Sequence, residues 1–117
     1  MTSPLWRYFK PEEVVGLDQE LCAMLDRARS LAGVPFVITS GFRTPEQNAA
    51  LPEAVQDSAH LTGNAVDLAC PDSLTRYVML RALILVGFER IGIYSDHLHA
   101  DNCVRLPQKV VWYSGDR

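Results

Sequence analysis

The feature that most constrains the fold is a ten-residue stretch in which a turn leads directly into a strand. Residues 58–67 read Ser-Ala-His-Leu-Thr-Gly-Asn-Ala-Val-Asp. Gly63 permits a sharp turn because it lacks a Cβ atom. After it, residues 65–68 alternate in the way of a strand with one buried face. Asp67 is therefore predicted to lie on the opposite face, and the turn brings His60 back beside it.

Apolar residues that recur every three or four positions predict two long helices. The first runs from about Asp18 to Leu31, with Asp18 as its cap and Gly33 at its end. The second begins at Asp72 or Ser73 and runs to about Val86, before Gly87. Because it is apolar almost all round, we expect it to be deeply buried.

Strands are predicted between and after these helices, at residues 34–40, 65–69, 90–94, 97–101 and 109–113. Thr44, Pro45 and Gln47 form a capping box that opens a short helix, and residues 51–59 are predicted to be a loop. Two helices on a mainly antiparallel sheet make a single compact α+β domain over residues 1–117. Residues 1–16 form an N-terminal segment whose aromatic residues pack onto the domain; they are Trp6, Tyr8 and Phe9.

Composition excludes several classes of protein. A net charge of −3 on 117 residues lacks the excess of basic residues that is typical of nucleic-acid-binding proteins. No apolar run reaches the roughly 18 residues of a membrane span. The N-terminus lacks the apolar region of an export signal, so we expect synthesis in the cytoplasm. Three cysteines without a Cys-x-x-Cys pair are interpreted as buried thiols of a reducing compartment.

The histidines favour a metal site. His60 and Asp67 offer an imidazole and a carboxylate, and the sequence His-Leu-His at 97–99 offers a third ligand, for which we choose His99. Two imidazoles and a carboxylate with one position left open are typical of a catalytic zinc site. We therefore expect one bound Zn²⁺.

Further polar residues are candidates for the chemistry around that metal. Asp96 precedes His99 by three residues and can act as a general base, although it can also be a plain turn residue. Arg43 follows a strand and can stabilise an oxyanion, or form a surface ion pair. His97 can be a hydrogen-bonding neighbour, a substrate contact or a surface residue. Asp101 is expected to orient His99 and not to bind metal.

Residues 58–67 resemble the Ser-x-His-x-x-Gly-x-Ala-x-Asp signature of the zinc D-Ala-D-Ala carboxypeptidase and L-alanyl-D-glutamate endopeptidase family. The segments 38–44 and 98–101 are similar to two further parts of that family, in the same order. The resemblance implies a hedgehog/D,D-peptidase-like fold and a zinc peptidase that cleaves the peptidoglycan stem. The site residues it implies are the zinc ligands His60, Asp67 and His99, the base Asp96, and the substrate contacts Arg43 and Ser58. The sequence Asp-His-Leu at 96–98 departs from the Glu and aromatic residue of many members, which leaves the base and the role of His97 open.

The resemblance also implies a setting. Short members of this kind are used in phage lysis, and this chain is expected to act on the bacterial cell wall as a monomer that binds stem peptides. Either an L-Ala–D-Glu endopeptidase or a D-Ala-D-Ala carboxypeptidase fits the signature. The alternatives are a non-catalytic domain that binds wall peptides or a partner protein, and a metallohydrolase of the same fold acting on another amide.

Overall fold

The computed structural model describes residues 5–51 and 58–114. The predicted loop at 51–59 and the extreme ends of the chain therefore lie partly outside the described residues. In this part of the chain no helix is long and apolar enough to cross a membrane. The described elements form one helical layer packed on one sheet, which confirms the predicted α+β class.

Local capping interactions determine where the helices begin and end. Helix α1 spans Gln19–Ala32, where the Asp18 carboxylate accepts the Leu21 N–H and Gly33 ends the helix in the left-handed conformation. The predicted capping box opens helix α2, Pro45–Ala49. Helix α3 spans Ser73–Leu85. Short 3-10 turns at Pro11–Val14 and Ala59–Thr62 precede α1 and the second strand.

Five strands form a mixed sheet in the order β1-β2-β4-β3-β5. All neighbouring strands in the described sheet are antiparallel except β3 and β5, which run parallel. The prediction of a mainly antiparallel sheet is thus confirmed, while the parallel edge was not foreseen. The strands are β1 (Ile38–Ser40), β2 (Ala65–Ala69), β3 (Arg90–Ile93), β4 (His97–Asp101) and β5 (Val110–Tyr113).

The core lies between one face of the sheet and the two long helices. Leu25 of α1 and Leu83 of α3 are fully buried against the inward residues of β2 and β4, among them Val66 and Leu98. The N-terminal aromatic residues also pack onto this core, as predicted: Phe9 is buried, and Trp6 and Tyr8 pack against it. The opposite face of the sheet is left free to carry polar side chains.

The prediction of a deeply buried second helix is wrong. In α3 only Met79, Ala82 and Leu83 are buried, whereas Leu74 is 75% exposed and Leu85 is 59% exposed. A helix in a two-layer domain contacts the sheet and one neighbouring helix, so its outer side has nothing to cover it. Apolar composition all round therefore does not require burial all round.

The first predicted strand is also shorter than expected. Strand β1 covers only Ile38–Ser40, and its pairing with β2 is irregular between these two residues. Pro35 cannot donate a backbone hydrogen bond to a neighbouring strand, and Val37 is 54% exposed, so the segment before β1 is not a buried strand. Phe36 still reaches the core, at 6% exposure.

Candidate active site

The turn that carries His60 is held rigidly against the start of α1. The Ser58 hydroxyl accepts the His60 backbone N–H at 3.1 Å. Gly63 ends the turn at φ 74°, and a Cβ atom there would collide with the carbonyl oxygen of Gly16. Asp18 N–H donates to the Gly63 carbonyl at 2.8 Å. Ser58 is itself buried, so its hydroxyl holds the turn; its predicted substrate contact is untested by this geometry.

Hydrogen bonds to the segment after β1 fix the orientation of the His60 ring. Its Nδ1–H donates to the Gly41 carbonyl at 2.7 Å, and the Arg43 backbone N–H donates to the His60 carbonyl at 3.0 Å. With the proton on Nδ1, the lone pair of Nε2 is available. That nitrogen points to Asp67 Oδ1, 3.4 Å away.

Asp67 and His99 lie directly opposite each other on β2 and β4. His99 Nδ1 is 3.2 Å from Asp67 Oδ1. Within the described residues, His60, Asp67 and His99 are the group whose ligand atoms converge, all within 4.8 Å of one another. Ligands of a tetrahedral zinc at about 2.0–2.1 Å are themselves about 3.3 Å apart. The separations from Asp67 Oδ1, 3.4 and 3.2 Å, fit such an ion.

The other ring nitrogen of His99, Nε2, is hydrogen-bonded to Asp101. Nε2–H donates to Asp101 Oδ2 at 2.7 Å, and Asp101 Oδ1 accepts from Arg90 Nε at 2.8 Å and from the Cys103 N–H at 3.1 Å. Asp101 is almost fully buried. The structure thus places Asp101 behind His99, on the side away from Asp67, where the sequence predicted an orienting carboxylate.

The electrostatics of the cluster favour positive charge beside the Asp67 carboxylate. Burial raises the pKa of the Asp67 carboxyl, but hydrogen bonds and charge from His60 and His99 outweigh it and hold that pKa below its usual range. Burial likewise disfavours a charged His99, yet hydrogen bonds to Asp101 and Asp67 raise its pKa. A neutral His99 that donates from Nε2 would turn a bare Nδ1 lone pair toward a carboxylate. Either a proton or a metal ion removes that repulsion.

Arg43 lies beside the cluster but is heavily engaged. Its guanidinium donates to Ser40 Oγ at 3.2 Å, to Asn48 Oδ1 at 3.1 Å and to Asp67 Oδ2 at 3.4 Å. A guanidinium carries five N–H donors, so two remain beyond these contacts with the described residues. Arg43 is therefore both a support for Asp67 and a possible donor to a substrate oxygen.

Asp96 is not part of the convergent group. Its carboxylate lies on the exposed hairpin between β3 and β4, with its side chain 85% exposed, and accepts from His97 Nδ1 at 2.7 Å. That hydrogen bond and the charge of His97 lower the pKa of Asp96. The His97 ring in turn stacks on Tyr94, with centroids 4.4 Å apart. Because catalytic hydrogen bonds often tighten only when substrate is bound, this position leaves the predicted base untested.

Sequence reasoning missed the aromatic side of the site. The Trp112 ring of β5 lies 5.4 Å from the His99 ring, and Trp112 Nε1–H donates to the Tyr94 hydroxyl at 3.2 Å. One signal was present in the chain: Gly92 stands between Ile91 and Ile93 inside a predicted strand, and a glycine there marks a place where another group can approach the backbone closely. Its partner could not be named without knowing that β5 lies beside β3.

Comparison with known proteins identifies a shared fold and a family. No match was found among curated protein sequences. The crystal structure of Serratia marcescens L-Ala D-Glu endopeptidase ChiX superimposes with a TM-score of 0.60 at 21% sequence identity, covering 80% of this chain and 86% of that chain. At this identity the likeness shows a shared fold. The sequence profile of the family described as peptidase M15 matches residues 8–101, and M15 peptidases are metallopeptidases. The chain belongs to the peptidase M15 family.

Proposed function

We propose that this protein is a zinc-dependent peptidase that hydrolyses a bond of the peptidoglycan stem peptide, as an L-Ala–D-Glu endopeptidase or a D-Ala-D-Ala carboxypeptidase. The observation that carries the proposal is the convergence of His60, Asp67 and His99, whose ligand atoms all lie within 4.8 Å of one another, in an M15 chain. The fold shared with a Serratia L-Ala D-Glu endopeptidase supports the substrate class and makes the endopeptidase the first choice.

In this proposal the three ligands hold the zinc and the surrounding residues keep them in place. Gly41 fixes the tautomer of His60, and Asp101 fixes that of His99. The bound metal would polarise the scissile carbonyl and lower the pKa of the attacking water. Asp67 and His99 keep 14% and 13% of their side-chain surfaces exposed, so a peptide can reach the cluster from solvent.

Two residues of this chain would complete the chemistry. Asp96, on the hairpin that leads into β4, takes the proton of the attacking water and passes it to the leaving amine. Its hydrogen bond to His97 offers a second group for the same proton. Arg43 directs one of its two remaining N–H groups at the oxygen on which negative charge develops. His97 and Ser58 are proposed as substrate contacts, of which His97 is the more exposed.

The test is digestion of purified peptidoglycan with and without a chelator, followed by mass spectrometry of the released fragments. Chelator-sensitive new termini at L-Ala and D-Glu would establish the endopeptidase, and loss of a terminal D-Ala would establish the carboxypeptidase. No new termini from zinc-loaded protein would refute the proposal and favour a binding domain or another amide substrate. Whether the enzyme acts in phage lysis and as a monomer is part of the same proposal and needs separate measurement.

Variants assign the roles. His60→Ala should lose zinc binding and lysis together. Thr62→Ala is a matched control in the same turn, because among residues 5–51 and 58–114 its hydroxyl bonds to Ala59 and Asn64 and to none of the three candidate ligands. Asp96→Asn should keep zinc and lose turnover by about 10²–10⁴-fold. An unchanged rate in Asp96→Asn would move the base to another group, with His97 the next candidate.

A further inference from the structure

One row of residues crosses the open face of the sheet through the candidate metal site. Asp67 pairs with His99, His99 with Gly92, and Gly92 with Trp112. Residues paired across neighbouring strands direct their side chains to the same face. The two metal-ligand candidates and the indole therefore lie side by side, with a glycine between them.

The glycine is what allows the indole to reach the site. A Cβ atom on Gly92 would lie 2.6 Å from Cε2 and Nε1 of Trp112 and 2.7 Å from Cζ2. Any other residue would thus occupy the space that the indole fills. With glycine there, the ring leans across β3 until its centroid is 5.4 Å from that of His99. The indole borders the three-residue cluster as a wall.

Neighbouring residues hold this wall in one orientation. Trp112 Nε1–H donates to the Tyr94 hydroxyl at 3.2 Å. On another side the Arg90 guanidinium lies 5.1 Å from the ring centroid, and the same side chain is bonded to Asp101. A ring that is already ordered loses little entropy when a ligand packs against it. Trp112 is only partly buried, so part of its surface is open to a ligand.

The two ends of the row differ in chemistry. At the β1 end Arg43 lies beside Asp67, with a positive charge and spare donors. At the β5 end the surface is aromatic and carries the Trp112 ring. A peptide bound along the row would meet a cation on one side of the metal and an apolar wall on the other. Such a surface is suited to a peptide that has an acidic residue on one side of the scissile bond and an apolar residue on the other, which in the proposed L-Ala–D-Glu substrate is alanine.

We propose that Trp112, placed over Gly92, forms a specificity subsite that receives the alanyl side chain next to the scissile bond, while the acidic residue across that bond lies toward Arg43. This inference rests on the proposed peptidase function and names the part of the site that selects its substrate. In this proposal the alanine lies toward Trp112 and the glutamate toward Arg43, because these two residues stand on opposite sides of the candidate metal site.

The first experiment uses fluorescence. The chain has two tryptophans, and Trp6 packs on the core away from the site, so Trp6→Phe leaves Trp112 as the reporter and should leave cleavage unchanged. The probes are uncleavable Ala–Glu and Gly–Glu dipeptide analogues with a reduced peptide bond, added to the zinc-loaded protein. Saturation with Ala–Glu should shift the Trp112 emission, and the Gly analogue should bind about fourfold more weakly because it lacks one methyl group.

The second experiment removes the wall. Trp112→Ala should bring the Ala and Gly analogues to equal affinity and raise KM for Ala-containing peptide more than it lowers kcat. Trp112→Phe, which keeps a ring, should retain part of the preference and guards against a loss of folding in the alanine variant. A preference for Ala that is unchanged in both variants, with no emission change on binding, would overturn the subsite. Wild-type protein that binds the Ala–Glu analogue at Trp112 but cleaves no stem peptide would refute the peptidase function and keep the subsite.

Discussion

Replacing Asp101 by asparagine tests how the protein holds the proton of His99. The carboxylate has two oxygens, and one accepts from His99 Nε2–H at 2.7 Å while the other accepts from Arg90 and from the Cys103 N–H. Asparagine has a single acceptor oxygen. If that oxygen stays with Arg90, an amide N–H faces the N–H of His99. The ring can escape only by moving its proton to Nδ1, which is the atom that should bind the metal.

The size of the effect follows from this conflict. Loss of a partner behind a metal-bound histidine lowers metal affinity by about 10–100-fold, which is about 1.4–2.8 kcal/mol. The metal-free protein should also lose about 1.5–3 kcal/mol of stability, because a nearly fully buried hydrogen bond to a charged group is removed from Asp101. Arg90 keeps the Pro107 carbonyl at 2.6 Å as a partner, which limits the cost.

The assay is competition for zinc between the protein and a chelating dye at neutral pH, with denaturant unfolding of the metal-free protein beside it. Asp26→Asn is the matched control, since the Asp26 carboxylate accepts the backbone N–H groups of Arg7 and Tyr8 at 3.1 and 2.9 Å, outside the site. It should lose stability with no change in zinc affinity. Zinc affinity of Asp101→Asn within about threefold of wild type, below the range expected for such partners, would refute the reasoning.

Three further predictions follow from the same structure. Gly63→Ala should cost about 1–3 kcal/mol of stability, because φ is positive and the new Cβ would collide with the Gly16 carbonyl; an unchanged urea midpoint would contradict this. Burial and two nearby carboxylates raise the pKa of the Cys22 thiol to about 11. The unfolded chain therefore loses that proton first, and the free energy of unfolding should fall as pH rises from about 9 to about 11. Reaction of Cys22 with thiol reagents in the folded protein at neutral pH would contradict this environment. Although burial opposes it, two carboxylates raise the pKa of His99. Zinc must then displace a proton from this ring and should bind more weakly as pH falls. Calorimetry in buffers of different ionisation enthalpy should show the released proton, and its absence would mean that His99 is not the ligand.

The helices could be predicted because their signals are local. Asp18 and Gly33 bound α1 through contacts within a few residues, and the Thr44 capping box does the same for α2. Strand β2 was predicted with its observed bounds because buried Val66 and Leu68 flank Asp67 in the pattern of a strand. These elements depend on neighbours in sequence, which is the information that a single chain carries most clearly.

The failures depended on contacts between distant residues. The exposed outer side of α3 follows from the number of layers in the fold, which apolar content alone does not reveal. The parallel pairing of β5 with β3 joins segments separated by a loop, and it places Trp112 over Gly92. The three residues of the candidate metal site could be predicted because their spacing follows a signature. Trp112 was missed because only the register of the sheet brings it to His99.

The central claim is that His60, Asp67 and His99 hold the zinc that the peptidase needs. The most direct measurement is to strip the protein of metal, add zinc in steps, and follow bound metal and stem-peptide cleavage in the same samples. The account predicts that cleavage rises in proportion to bound zinc and stops rising at one ion per chain, and that His60→Ala shows neither. Full cleavage by the metal-free protein, or zinc bound at one ion per chain by His60→Ala, would contradict it.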